Sequence, residues 1–323
     1  FHVLINKVLF LIMDLNKTID APVVLFIYKR PNHTKKILDK INQVKPKKVY
    51  VIGDGWKCKD DKILVKKTRE LISELTFKTE KLFFDTNVGL RRNVEIGLNH
   101  VFNLEEKAIV LEDDTLPSLS FFHFCDILLK KHAENKQISM ITGSNFKTEM
   151  TSNHKNDYFF SKYPFIWGWA TWRDRWEQLF DNKMTKWNEY KSSENFRKNF
   201  HFKRELNYWK ERFNFHEKNL NFGTWDYPFH FGHFYYEKKT IVPKINLIEN
   251  IGYDIPTSHN PKKTANLKTY ELNFPLRHPT KYENIYNYDK FCSVGLFSKS
   301  KISQRIKNKL IKLFNLFKKK TKF

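Results

Sequence analysis

The sequence predicts an α/β fold, a mostly parallel sheet with helices on both faces, and three observations predict it. Buried-strand runs alternate with amphipathic helical runs at intervals of about 30 residues through the first 145 positions. Polar residues collect at the ends of those strands, where ligands sit in such sheets. No Pro/Gly/Ser-rich linker divides this half from the aromatic-rich half after residue 150, so the second half reads as a lobe packed on the same sheet and not as a tethered domain.

Taken in order, APVVLFIY (21–28) is a buried-strand run. Pro31 then opens a helix whose Ile37, Leu38, Ile41 and Val44 keep helical spacing. KKVYVIGDG is a second strand, 63–75 a charged amphipathic helix, EKLFF a third strand and 90–102 a helix. KAIVLEDD is a fourth strand and ISMITG a fifth. Beyond 150 come YPFIWGWATWRDRW, with a tight turn at Gly168 and a helix start, then a helical stretch from WNEYKSS to NYWKERF, then NFGTWDYPFHFGHFYY. The organisation expected is an N-terminal extension over 1–20, an alternating strand–helix half over 21–150, an aromatic-rich half over 151–262 and a C-terminal segment over 263–323.

Composition narrows the class. In 323 residues, 41% are hydrophobic and only 10 are Gly, 11 Pro and 3 Cys, which excludes collagen-like, disulfide-stapled and compositionally disordered chains. The cysteines, Cys58, Cys125 and Cys292, have no metal-binding spacing and fit a reducing compartment. The start, FHVLINKVLFLIM, is too short for a membrane span and lacks a small-residue cleavage site, so residues 1–12 read as an extension upstream of Met13.

A net charge of +23 invites a nucleic-acid reading. Ten of the 58 basic residues, however, fall between positions 299 and 322 without one acid, leaving 48 basic against 35 acidic residues elsewhere. In that tail Ile302, Ile306, Leu310, Leu313, Phe314 and Phe317 recur at helical steps between lysines, which suits the surface of an anionic membrane. Docking of the tail on its own domain is the alternative, and nucleic acid is not expected as a partner.

Glu112-Asp113-Asp114 follows the apolar run AIVL directly. Three acids ending a buried strand repel one another unless a cation neutralises them, and their hard oxygens suit Mg²⁺ or Mn²⁺ with a phosphate completing the shell. A helix-capping acidic loop is the plainer alternative.

The ordered set Tyr28-Lys29-Arg30-Pro31, Gly53-Asp54-Gly55, Asn87-Val88-Gly89-Leu90, Glu112-Asp113-Asp114, Trp167-Gly168-Trp169, Thr224-Trp225-Asp226 and Ser258-His259 resembles nucleotide-sugar transferases of the GT-A fold. It is most similar to the group around N-acetylglucosaminyltransferase I, whose metal motif takes the form Glu-Asp-Asp. The resemblance spans about residues 21–260. It implies a Rossmann-like sheet with an aromatic-rich acceptor-side lobe, to which the sequence adds a basic amphipathic C-terminal helix. It further implies metal binding by Asp114 and donor contacts by Glu112 and Asp113. Arg30 falls where that family grips phosphate or base, and Asp54 where a carboxylate accepts the uracil imide N–H. An ordinary surface arginine and a Gly-Asp-Gly turn are the plain readings of the two. Arg91 and Asn93 open a helix whose N-terminus either meets the donor or is simply capped there.

Asp226, after an aromatic residue, takes the place of the catalytic base of an inverting transferase, with a helix cap as the alternative. By the same resemblance His259 closes on the diphosphate or joins the metal shell, while Trp167, Gly168 and Trp169 line the site. Trp172 and Trp176 read as core. The activity so implied is metal-dependent transfer from a nucleotide sugar, a UDP-sugar, to a glycan or lipid-linked acceptor of a bacterial surface polysaccharide. The place implied is the inner face of the cytoplasmic membrane. A sugar nucleotidyltransferase shares the sheet and metal, but 28–36 (YKRPNHTKK) lacks the glycine loop such enzymes use on a triphosphate. A noncatalytic basic module for membrane or nucleic acid is the remaining alternative.

Overall fold

The computed structural model describes residues 18–220, 224–252 and 267–298. The alternation expected of the first half is present: β1 (Val23–Ile27), α1 (Pro31–Val44), β2 (Val49–Gly53), α2 (Lys59–Glu70), β3 (Thr79–Phe83), α3 (Leu90–Leu104) and β4 (Lys107–Glu112). A short β5 (Thr115–Pro117), α4 (Leu119–Lys131) and β6 (Ile138–Thr142) follow. The second half holds α5 (Thr148–Thr151), β7 (Tyr158–Ser161), β8 (Trp169–Trp172), α6 (Arg173–Leu179), α7 (Trp187–Tyr190), α8 (Glu194–Lys198) and α9 (Lys203–Lys218). It continues with α10 (Asp226–Tyr235), β9 (Lys239–Pro243), β10 (Ile248–Asn250) and α11 (Tyr286–Gly295).

Burial on both faces is what makes the inner strands continuous apolar runs. Along β1, Val23, Leu25 and Ile27 join a core with Ile37, Leu38 and Ile41 of α1 and with Phe121 and Leu128 of α4. Val24 and Phe26 turn the other way, toward Val94 and Leu98 of α3 and Trp176 of α6. The period-two alternation of a strand thus feeds two helical layers at once.

The main sheet runs β3-β2-β1-β4-β8-β6-β9-β7. It is mostly parallel: β1, β2, β3 and β4 pair in parallel, as do β6 and β9, whereas β8 and β7 run against their neighbours. The fold class expected from sequence is therefore the one observed. Because the chain goes from β1 outward to β2 and β3, then returns to the far side of β1 as β4, a crevice opens between the carboxyl ends of β1 and β4.

Three local expectations are corrected. The helix placed at 63–75 starts at Lys59, with Asp60 and Asp61 in a first turn that favours acids, and ends in a 3₁₀ turn at Leu71–Glu74. The helix expected to begin after Gly168 is preceded by β8, whose WATW is buried at every position between β4 and β6. The helical stretch from Trp187 is three helices, because Ser193 caps α8 by accepting from the Phe196 N–H at 3.1 Å.

A third core fills the second half. It is built from rings: Tyr163, Trp187, Phe196, Trp209, Phe213 and Phe234 are all in it, with few aliphatic side chains among them. Trp187 meets Phe196 and Phe213 edge-on at 5.1 and 5.2 Å between centroids. The expectations for residues 1–12 and for the basic amphipathic tail fall outside the described residues. Among the described residues no helix is long and apolar enough to cross a membrane.

Candidate active site

β1 and β4 deliver their last residues to the same crevice. The Tyr28 N–H donates to Asp113 Oδ2 at 3.2 Å, and Arg30 Nη1 reaches Asp113 Oδ1 at 3.1 Å and Asp114 Oδ2 at 2.6 Å. Pro31 opens α1 immediately afterwards, so Arg30 is held at the mouth of the crevice with its side chain about a quarter exposed. Thr115 fixes the turn beyond the acids by accepting from the Glu112 N–H and donating to the Glu112 carbonyl, both at 2.9 Å.

The acids crowd one another. Burial, then Asp114, Asp113 and Asp226, push Glu112 up to about 8. Burial also pushes Asp113 up, to about 7, against the pull of Arg30. Burial works against the Arg30 charge, yet Asp113 and Asp114 more than offset it and raise its pKa. A single guanidinium thus pairs with two of the three carboxylates.

Asp226 comes to the same field from the second half. It is the first residue of α10, where the helix dipole favours an acid, and Thr224 Oγ1 donates to its Oδ1. The capping alternative is met only in part, since Trp225 holds the cap position and makes no capping bond. Trp225 does something else: its indole lies near enough to Glu112 to favour that carboxylate's charged form. The ring stacks on Trp169 of β8, 5.5 Å between centroids and 18° between planes, so a strand of the sheet, a tryptophan pair and α10 form one rigid link from β4 to Asp226.

That link corrects the expectation for Trp169, which is 1% exposed and packed among Trp176, Trp225 and Phe229. It supports the site from the core and does not line it. Trp167 does line a cavity, of about 210 Å³, shared with Asp226, His230, Phe165 and Phe297. Gly168 lies between the two with φ +57°, and a Cβ there would come within 2.3 Å of Ile248. Only glycine turns the chain so tightly from cavity to core.

Asp54 is also corrected. Its Oδ1 accepts from the Gly55 and Val88 N–H groups at 2.8 Å each, and its Oδ2 from Asn87 Nδ2 at 2.8 Å and the Gly89 N–H at 3.1 Å. Burial raises its pKa although the three backbone bonds and the charge of Arg69 pull it down. Its lone pairs are consumed in tying the 86–89 loop to the end of β2, which leaves none for a uracil N–H. Arg91 is buried at the start of α3 and pairs with Glu95 at 3.2 Å, while its Nε lacks a protein partner. Asn93 is buried beside it, its Oδ1 also without one. Gly89, not a polar side chain, caps this helix.

The chain leaving β10 folds over the acids. The Ile251 N–H donates to the Asp114 carbonyl at 2.8 Å, and a Cβ on Gly252 would stand 2.4 Å from Asp114 Oδ2. His33 of α1 reaches the Ile251 carbonyl at 3.0 Å. His259 follows in the stretch outside the described residues.

The sequence reading missed two contributors. Trp225 entered only as the aromatic before Asp226. His230 lies one helical turn beyond it, with Nδ1 at 2.6 Å from the Asp226 carbonyl and 4.0 Å from its Oδ2. Its i, i+4 spacing from Asp226 was the available signal.

The donor set suits a hard divalent cation of a particular kind. Among the described residues no group of three or more His, Cys, Asp or Glu side chains could hold a metal ion by itself. Mg²⁺ and Mn²⁺ sites completed by substrate phosphates need only one or two carboxylates, and the excess of acid over base at this strand tip supplies them.

No protein-family model matches the chain, and no curated protein sequence does. Among solved structures it is similar to 4-diphosphocytidyl-2C-methyl-D-erythritol synthase from Anaerococcus prevotii, with 10% identity and a TM-score of 0.29 over 54% of this chain and 78% of that one. At that score the likeness carries no functional weight, and the fold class rests on the strand order itself.

Proposed function

We propose that the chain is a metal-dependent glycosyltransferase that moves a sugar from a nucleotide sugar, a UDP-sugar, to a glycan or lipid-linked acceptor, with inversion. One observation carries this reading: Glu112, at the tip of β4, feels the charges of Asp113, Asp114 and Asp226 together, with the Trp225 indole beside it. Acids suited to a nucleotide sugar and an acid suited to deprotonating an acceptor therefore share one field. The cavity that joins Asp226 to Trp167 has the scale of a single sugar ring, and Trp167 offers it a face.

Asp114, with Asp113 behind it, would hold Mg²⁺ or Mn²⁺, which when bound stabilises the negative charge on a departing nucleoside diphosphate. Arg30 releases one or both carboxylates and turns its guanidinium to the diphosphate oxygens. Glu112 fixes the donor sugar's hydroxyls beside Asp226. Asp226 takes the proton of the acceptor hydroxyl as that oxygen attacks the anomeric carbon. Thr224 holds this carboxylate in position, and His230 holds the backbone carbonyl of the same residue. In this reading the basic tail keeps the enzyme on the inner face of the cytoplasmic membrane.

The test is direct. Purified protein is incubated with UDP-sugars and Mn²⁺, with and without EDTA, and release of UDP is followed. Turnover that needs the metal and accelerates with acceptor is the expected result. Absence of metal-dependent turnover, together with no nucleotide-induced rise in melting temperature, rejects the proposal in favour of a noncatalytic basic module.

A further inference from the structure

We propose that the aromatic lobe carries a second binding site, for an acidic saccharide, at the opposite end of α10 from Asp226. The inference does not rest on the donor-site reading. A cavity of about 450 Å³ opens there, twice the volume of the one at Asp226 and within the usual range for small-molecule sites. His233 and Phe234, near the end of α10, form part of its wall, whereas Asp226 and His230 at the start belong to the other cavity.

Its electrostatics are the reverse of the strand-tip site. Lys162, Lys198, Lys238 and Lys239 line it against two acids, Glu237 and Asp289. Asp289 is turned inward, accepting from Ser161 Oγ at 2.6 Å, the Lys162 N–H at 3.3 Å and Asn284 Nδ2 at 3.1 Å. Lys238 and Lys239 are held by carbonyls, those of Lys136 at 2.7 Å and of Tyr282, whereas Lys162 bonds Asn199 O at 2.7 Å with Glu205 at 3.4 Å and Lys198 pairs with Glu194 at 2.9 Å. A carbonyl accepts a hydrogen bond but cancels no charge. Lys238 and Lys239 each keep further N–H groups, so these two ammoniums are positioned yet not neutralised, which is the state a carboxylate or phosphate completes.

Two more features select a sugar over a bare anion. Asn284 Oδ1 is buried at this cavity without a protein partner, an acceptor suited to a hydroxyl. Tyr286 is 57% exposed at the rim and braced edge-on by His201, with centroids 5.5 Å apart, and so presents a ring face to sugar C–H groups. Cationic donors, an orphan acceptor and an open aromatic face together fit a uronate or a sugar phosphate.

The full chain is titrated calorimetrically with a glucuronate-containing tetrasaccharide, a neutral glucose tetrasaccharide and inorganic phosphate. Expected is binding of the acidic saccharide that weakens with salt, with no measurable binding of the neutral one and much weaker binding of phosphate. Tyr286→Ala, at an exposed position, and Lys239→Gln each weaken it about tenfold, whereas Asp226→Asn leaves it unchanged. Phosphate binding as tightly as the saccharide, or saccharide binding indifferent to both lobe variants, overturns the proposal. So does loss of binding in Asp226→Asn, which would place the ligand in the other cavity.

Discussion

The parallel half and the aromatic lobe bury their side chains by different means. In the parallel half aliphatic residues alternate along strands and recur along helices, so backbone geometry decides which face is covered. In the lobe, α7 and α8 have only 4 and 5 residues, and rings meeting edge-on hold them in place. One half sets its acids by strand ends, the other sets Asp226 by a stack of tryptophans. Repetition of a backbone period builds a platform, and irregular ring packing builds a reactive wall on it.

If the division of labour holds, the largest single effect belongs to the lobe. Asp226→Asn should cut transfer by about 10²- to 10⁴-fold, the cost of a lost general base, while UDP binding measured by calorimetry stays nearly intact. Surviving turnover would hand the base role to another acid.

The packing contrast is tested by stability. Trp187→Ala, emptying the centre of the ring cluster, should cost about 3–5 kcal/mol in urea unfolding, whereas Ile41→Val in α1 should cost about 0.5–1.5 kcal/mol. Equal losses would mean that the lobe relaxes around its cavities and is not a fixed wall.

On the platform side, Asp114→Asn removes a charged ligand and should weaken manganese-dependent UDP binding about ten- to a hundredfold, by analogy with the loss of a charged hydrogen bond. Unaltered manganese-dependent affinity contradicts its assignment.

The smallest effect expected is a pH dependence weighted toward the lobe, where four histidines are lowered against His132, lowered to about 4, and His278 elsewhere. His201, His216, His230 and His233 are all held below the ordinary histidine value by burial, His233 down to about 3. With the unfolded value near 6.5, the unfolded chain takes up protons first. The stability they contribute is complete above about pH 6.5 and is lost as pH falls toward the folded values. Asp289, raised from 3.8 to about 6 by burial, works in the opposite sense over its own narrower window. Tryptophan fluorescence should therefore report loosening of the lobe between pH 6 and 4 before far-ultraviolet circular dichroism reports loss of the sheet. Simultaneous change in both signals would erase the distinction.

The same contrast decides what could be read from the chain. Pro31, the runs at β1, β2 and β4, and the acids ending β4 were all visible because a buried strand is a contiguous apolar string and its end is marked by polarity. β8 was not visible, since WATW between a glycine turn and a helix start is too short to show a period. Asp54 was found as a strand-end carboxylate, but its use could not be. Three of its four donors come from a loop 33 to 35 residues away, and no local pattern encodes that. Trp169 and Trp225 were seen as aromatic, and only three dimensions show that one stacks on the other and brings its indole beside Glu112.

β8 comes from residues 169–172 yet sits between β4 and β6, both drawn from earlier in the chain. A polypeptide severed near position 150 would lack the ribbon that joins Val110 to Ile141, and the remaining fragment would hold that ribbon with nothing to clasp. Neither piece should assemble alone, and co-expressed pieces should find each other. The lobe, for the same reason, is not a module that could be exchanged for another without unzipping the middle of the platform.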